Sequence, residues 1–130
     1  MDNIYADNIL DHAYNPRNAR ILDKYNCSAT ADNAVCGDNA VMQLNVEGGI
    51  VVDIGCVARG CALSTAGCSI LSEYIKGKSI DEIKSILPGT VYDILGISVQ
   101  PTRVNCIMLG YNALVIAIAN YATIENNVKS

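Results

Sequence analysis

The chain has 130 residues, 51% of them hydrophobic and 17% charged, with a formal net charge of −4 and no run of basic residues. That composition excludes a disordered chain, and the lack of a clustered positive footprint argues against nucleic acid or an anionic membrane as main partner. At this length one domain covering residues 1–130 is expected, and with no Phe or Trp its core must come from Ile, Leu, Val, Ala, Met and Tyr.

Residues 3–14 read as a first helix, with Tyr5, Ile9, His12 and Ala13 on one face and Pro16 of "NPRN" as its stop. A short strand candidate follows at 25–31. The stretch "NAVMQLNVEGGIVVDIGCV" then reads as a hairpin. Ala40, Met42, Leu44 and Val46 alternate with Asn39, Gln43 and Asn45, "EGG" turns the chain, and Ile50, Val52, Ile54 and Cys56 supply the returning apolar face.

A helix is predicted over about 62–76, with Gly77 of "KGK" past its end. Ser79 and Glu82 in "SIDE" match a capping box opening a short helix that stops before Pro88, and "VYDILG" reads as a short turn. Pro101 suits the first position of a long final helix, about 101–123. Cys106 to Ile124 carries no charge over about the length that spans a bilayer. Asn112 and Asn120 interrupt it and no second such segment exists, so a long helix buried against a sheet is the preferred reading. The order of elements predicts an α+β fold, a small antiparallel sheet covered on one face by helices. The acidic start "MDNIYADN" is neither a secretory signal nor a basic transit peptide, and a cytoplasmic location is expected.

In a reducing cytoplasm the six cysteines are read as metal ligands, reactive thiols or packing residues rather than disulfides. Cys56 shares strand parity with Ile54, Cys68 lies two helical turns beyond Cys61, and Cys27 sits in the first strand; packing is the reading for all three. Cys36 and Asp38 flank Gly37 and emerge on one side of an extended chain. Cys61 follows "ARG" at the mouth of a helix, and Cys106 falls in the opening turns of the last one. A helix N-terminus favours thiolate, and Arg59 and Arg103 lie close in sequence to the two sites. Three thiolates and a carboxylate at element ends can converge on one ion; scattered packing cysteines remain the alternative. His12, the single histidine, is read as structural because it lies on the apolar face of its helix.

Four stretches, in order, give the chain a resemblance to a known family. "LDHAYNPRNAR", "CGD", "GCALSTAGCSILSEYIKGKS" and "PTRVNCIMLGYNAL" resemble the signature segments of the NifU N-terminal/IscU/SufU iron–sulfur cluster assembly scaffolds, over nearly the whole chain. The resemblance implies a three-stranded antiparallel sheet with helices on one face. It also implies that Cys36, Asp38, Cys61 and Cys106 hold a transient [2Fe–2S] cluster, or Zn²⁺ when the cluster is absent. Implied partners are a cysteine desulfurase, which delivers sulfur as persulfide to Cys106 or Cys36, and recipient apo-proteins, with the scaffold a monomer or dimer and a carrier rather than an enzyme. The alternative within the family is a SufU-type zinc-bound sulfur acceptor.

The chain departs from the pattern in places. Asn105 stands where the IscU branch has histidine and many SufU proteins have lysine, and an amide cannot replace imidazole as a strong ligand. Ala34 replaces a proline before the first motif, "SVQPTRV" stands where IscU proteins carry a chaperone-binding LPPVK, and the interval from Cys61 to Cys106 is short, as in IscU.

Overall fold

Gly48 and Gly49 both take positive φ, 60° and 77°. A two-residue type I′ turn needs that pairing, and glycine adopts it without a Cβ clash. The turn joins β2 (Asp38–Glu47) to β3 (Ile50–Arg59), and β1 (Cys27–Asn33) pairs with the other edge of β2. The result is a three-stranded antiparallel sheet of order β1-β2-β3. The computed structural model describes residues 2–33, 37–95 and 104–129. Ala34, Cys36, Pro101 and Arg103 lie outside the described residues.

The hairpin carries one irregularity that alternation did not reveal. Asn45 opposes Asp53 but Val46 opposes Val51, so Val52 is an extra residue on β3. A bulge of this kind reverses which face successive side chains take. Val51, Ile54 and Cys56 are buried, whereas Ile50 and Val52 are 37% and 40% exposed. The inward face predicted for Ile50 and Val52 is therefore corrected, because a period-two reading cannot see the inserted residue.

Helices cover one face of the sheet. α2 (Ala62–Ile75) packs on β3, and the long final helix packs on β1 and β2, with α1 (Asp2–Tyr14) against α2. Met42, Leu44, Ile54, Leu71, Ile75, Leu109 and Leu114 are fully buried between these layers. On the other face Leu22 is buried and its N–H donates to Gln43 Oε1 at 2.8 Å, so Gln43, read as an outward polar residue, is buried too.

Past the cap of α2, Gly77 takes φ 91° and its N–H donates to Val51 O at 2.8 Å, tying the helix end to the hairpin. α3 (Ile80–Lys84) opens with the expected capping box: Glu82 N–H donates to Ser79 Oγ at 3.1 Å and Ser79 N–H to Glu82 Oε1 at 3.0 Å. Val91–Leu95 of "VYDILG", read as a turn, belong to an eight-residue helix, α4 (Pro88–Leu95). The single final helix predicted from residue 101 is corrected to two helices. A one-turn α5 (Val104–Ile107) and α6 (Leu109–Lys129) part at Met108. The break lets the carbonyl of Ile107 dock on α2 at Gly67, where a Cβ would come within 2.7 Å of that oxygen. α6 buries the stripe Leu109, Ala113, Leu114, Ala117 and Ile118. Among the described residues no helix is long and apolar enough to cross a membrane.

Candidate metal centre

Asp38 is the first residue of β2 and shares the inward parity of Ala40 and Met42, so its carboxylate is only 5% exposed. A charge taken out of water in this way needs partners. Its nearest is Ser64, whose hydroxyl donates to Oδ2 at 2.8 Å. Cys61 links β3 to α2 and caps the helix in an extended conformation, φ −82° and ψ 166°, half-buried. Cys106 lies in α5 and is 2% exposed. One carboxylate oxygen of Asp38 and the sulfurs of Cys61 and Cys106 all lie within 4.8 Å of one another.

Two glycines make the approach possible. Gly60 sits at φ 137°, a conformation that L side chains rarely adopt, and a Cβ there would overlap the Asp38 carboxylate. Gly67 lets α5 close on α2, which brings Cys106 beside Cys61.

The local electrostatics come from hydrogen bonds. The Ser64 hydroxyl, against the cost of burial, holds the Asp38 carboxyl below the usual carboxylate range, with help from the thiol of Cys106 and the N–H and thiol of Cys61. Burial pushes the Cys61 thiol up, but the Ser64 hydroxyl, the Ser64 and Leu63 N–H groups and the Cys106 thiol outweigh it. The balance falls below the ordinary thiol value. Asn33, the last residue of β1 and the register partner of Asp38, donates from Nδ2 to Cys106 Sγ at 3.9 Å.

The sequence-based picture is met in part. Asp38, Cys61 and Cys106 converge; Cys36, two positions before Asp38, lies outside the described residues. The helix-end argument holds for Cys61, which precedes a fourteen-residue helix, but not for Cys106, which lies within a helix of four residues. Arg59 is exposed at the end of β3, and hydrogen-bond donors rather than its charge are the principal groups holding Cys61 down. The other cysteines pack. Cys27 donates to Ala117 O at 2.9 Å and burial pushes it up to about 11; Cys56 and Cys68 are buried thiols in contact, with Cys56 pushed well above the ordinary value by its bond to Cys68 and by burial. His12 is buried against α2, its Nδ1 2.6 Å from Ser69 Oγ, a structural role. Sequence reasoning missed Ser64, Asn33 and Gly60. Ser64 had a signal, since it lies one helical turn after Cys61 and so on the same face.

The donor set suits a metal. Tetrahedral zinc, with Zn–S about 2.3 Å and Zn–O about 2.0–2.2 Å, spaces its ligands by roughly 3.5 Å, a spacing within reach of three atoms that already lie within 4.8 Å of one another. Two soft sulfurs and one hard oxygen also match an iron–sulfur guest held less firmly than by four thiolates. Fold and site together define a small α+β domain with a composite cysteine–carboxylate centre built from three separate elements.

Comparison with known proteins gives this class its family. Residues 4–128 match the NifU-like N terminal domain, and the chain belongs to that family. It is 30% identical over 127 residues to the iron–sulfur cluster assembly scaffold protein IscU of Aquifex aeolicus, covering 96% of this chain and 80% of that protein. It is 32% identical to the IscU of Haemophilus influenzae, covering 90% and 94%. The zinc-dependent sulfurtransferase SufU of Bacillus subtilis is also 32% identical, with 92% of each covered. The fold is similar to a crystal structure titled as a putative iron–sulfur cluster assembly scaffold protein for the SUF system from Fervidobacterium islandicum AW-1. That match has a TM-score of 0.74 at 22% identity, covering 91% of this chain and 98% of that one. A NifU-like N-terminal domain from Brucella abortus matches with a TM-score of 0.72 at 21% identity, covering 91% and 94%.

Proposed function

We propose that this chain, as one domain, is an iron–sulfur cluster assembly scaffold: it receives sulfur from a cysteine desulfurase, assembles a transient [2Fe–2S] cluster and passes it to apo-proteins. The observation that carries the reading is the convergence of Asp38, Cys61 and Cys106 within 4.8 Å. Cys36, two residues before Asp38, is proposed as the remaining ligand. Scaffold relatives at about 30% identity over most of the chain support it. The chain's own work is to supply thiolates at Cys61 and Cys106, a carboxylate at Asp38 already ionised by its hydrogen bonds, and a half-buried entrance at Cys61.

Sulfur arrival is a thiol exchange. A scaffold thiolate attacks the outer sulfur of the desulfurase persulfide; a new S–S bond forms on the scaffold, the old one breaks, and the desulfurase cysteine leaves as thiolate. Cys106 and Cys36 are the candidate acceptors. In this reading the protein is a carrier, returned unchanged when the cluster leaves.

The second reading is a zinc-bound sulfur acceptor that relays persulfide without building clusters. The relation to the zinc-dependent sulfurtransferase SufU and a donor set of two sulfurs and one carboxylate oxygen favour it. Anaerobic reconstitution with iron, sulfide and a desulfurase separates the two. A stable visible band with about two irons per site supports the scaffold. Stoichiometric zinc that persists through the procedure supports the relay. No uptake of either metal, with Cys61→Ala unaltered in every respect, removes both.

A further inference from the structure

Ser64 is a non-ligand at the centre of the candidate site. It is 1% exposed, and its hydroxyl donates to Asp38 Oδ2 at 2.8 Å while lying 3.5 Å from Cys61 Sγ. It reaches both because it stands on the first turn of α2, one turn beyond Cys61, directly under the start of β2. The carboxylate it holds also lies against Gly60, with the sulfurs of Cys61 and Cys106 within 4.8 Å of one of its oxygens. With Oδ2 taken by the hydroxyl and a backbone on its other side, the group has little freedom to rotate.

We propose that Ser64 is the positioning residue of the Asp38 arm: its hydroxyl occupies one carboxylate oxygen and so presents Asp38 to a bound metal as a one-oxygen ligand. The inference rests on the reading of Asp38, Cys61 and Cys106 as metal ligands. A two-oxygen carboxylate would raise the coordination number above the four that a tetrahedral site prefers. One oxygen leaves a four-coordinate site whose weakest arm stays held by its hydrogen bond on the other oxygen when the guest departs. Outer groups that orient metal ligands in this way are typically worth about ten- to hundredfold in affinity.

The test is a double-mutant cycle on the full chain with Zn²⁺ as probe, its affinity read by chelator competition. Ser64→Ala is expected to weaken zinc about tenfold, and to weaken it by less than about twofold in an Asp38→Ala background, because the proposal routes its effect through Asp38 rather than Cys61. Co²⁺ substitution adds a spectroscopic reading. The four-coordinate visible bands of the wild-type chain should lose intensity in Ser64→Ala as Asp38 turns to offer both oxygens or none. Wild-type affinity and an unchanged cobalt spectrum in Ser64→Ala overturn the proposal, as does an equal loss in both backgrounds, which would place the effect in packing or in Cys61. Should Ser64→Ala not fold, infrared difference spectra of the unmodified zinc form with ¹³C-labelled aspartate decide the matter. A wide separation of the two carboxylate stretches is the one-oxygen signature; a narrow one overturns the proposal. A wild-type chain that takes up neither zinc nor cobalt removes the metal reading itself, a result distinct from the failure of Ser64 alone.

Discussion

At the scale of single residues, the cysteines differ by surroundings rather than by kind. Cys61 is half-buried with its thiol held low by neighbouring donors, Cys106 is buried beside Asn33, and Cys27, Cys56 and Cys68 are buried in the core. Thiolate fraction and access together set alkylation rate. Brief iodoacetamide treatment at neutral pH, read by peptide mass spectrometry, should therefore label Cys61 first among these five, with Cys27, raised to about 11, unmodified in the folded chain. Labelling of Cys27 before Cys61 would contradict the assignment of environments. Gly60 offers a second check. Alanine there must adopt φ 137° and collide with the Asp38 carboxylate, so Gly60→Ala should cost about 1–3 kcal/mol in urea unfolding and displace Asp38, weakening zinc at least about tenfold. The ligating types were legible in the sequence because few side chains do this chemistry. Ser64 offered only its spacing from Cys61, and Gly60 and Asn33 offered nothing, because a glycine and an asparagine acquire meaning only once a fold places an acid or a sulfur against them.

At the scale of elements, α1 is held to α2 by a small polar junction inside an apolar contact. Ser69 Oγ accepts from the Arg17 N–H at 2.8 Å and shares a hydrogen bond with His12 Nδ1, 2.6 Å away, while Nε2 faces Glu73 at 3.6 Å. Ser69→Ala takes the partner from the buried His12 Nδ1 and from the half-buried Arg17 N–H and should cost about 1–3 kcal/mol, read by urea unfolding. The same junction predicts a pH dependence. Burial first, then the charge of Arg17, lowers the His12 pKa below its ordinary 6.5, against the opposing pull of Glu73 and Asp11. The folded chain thus binds this proton less readily than the unfolded one. Its contribution to stability is complete above pH 6.5 and is lost as the pH falls below that value and through the lower folded one. Urea midpoints should decline from pH 7 to 5 in the wild type and flatten over that range in His12→Gln; a flat wild-type curve would refute the assignment. Local sequence foretold these elements well where it acts locally: α1, the capping box of α3 and the Gly48–Gly49 turn all stand where propensity put them. It failed at the Val52 bulge and at Met108, where packing between distant segments decides.

At the scale of the whole molecule, the candidate site belongs to no single element. β2 brings Asp38, the β3–α2 junction brings Cys61, and α5 brings Cys106, so its grip depends on how the sheet, α2 and α5 are seated together. That arrangement suits a carrier, which must hold firmly enough to assemble its cargo and loosely enough to surrender it. In the proposed reading Asp38 is the arm that sets the balance: an oxygen is a harder and weaker partner for cluster iron than a thiolate, and the Ser64 hydroxyl holds the carboxylate in place without the iron. If departure begins with exchange of that oxygen for a ligand of the recipient, Asp38→Ala removes the first step while leaving the thiolates that load the cluster. Reconstituted Asp38→Ala should therefore reach wild-type iron and sulfide content but transfer its cluster to an apo-ferredoxin more slowly, about tenfold if the lost exchange is worth ~1.4 kcal/mol. Transfer is followed by the recipient's circular dichroism under anaerobic conditions. Faster transfer from the variant would mean that the carboxylate retains the cluster rather than releasing it, and that the whole assembly is tuned for holding.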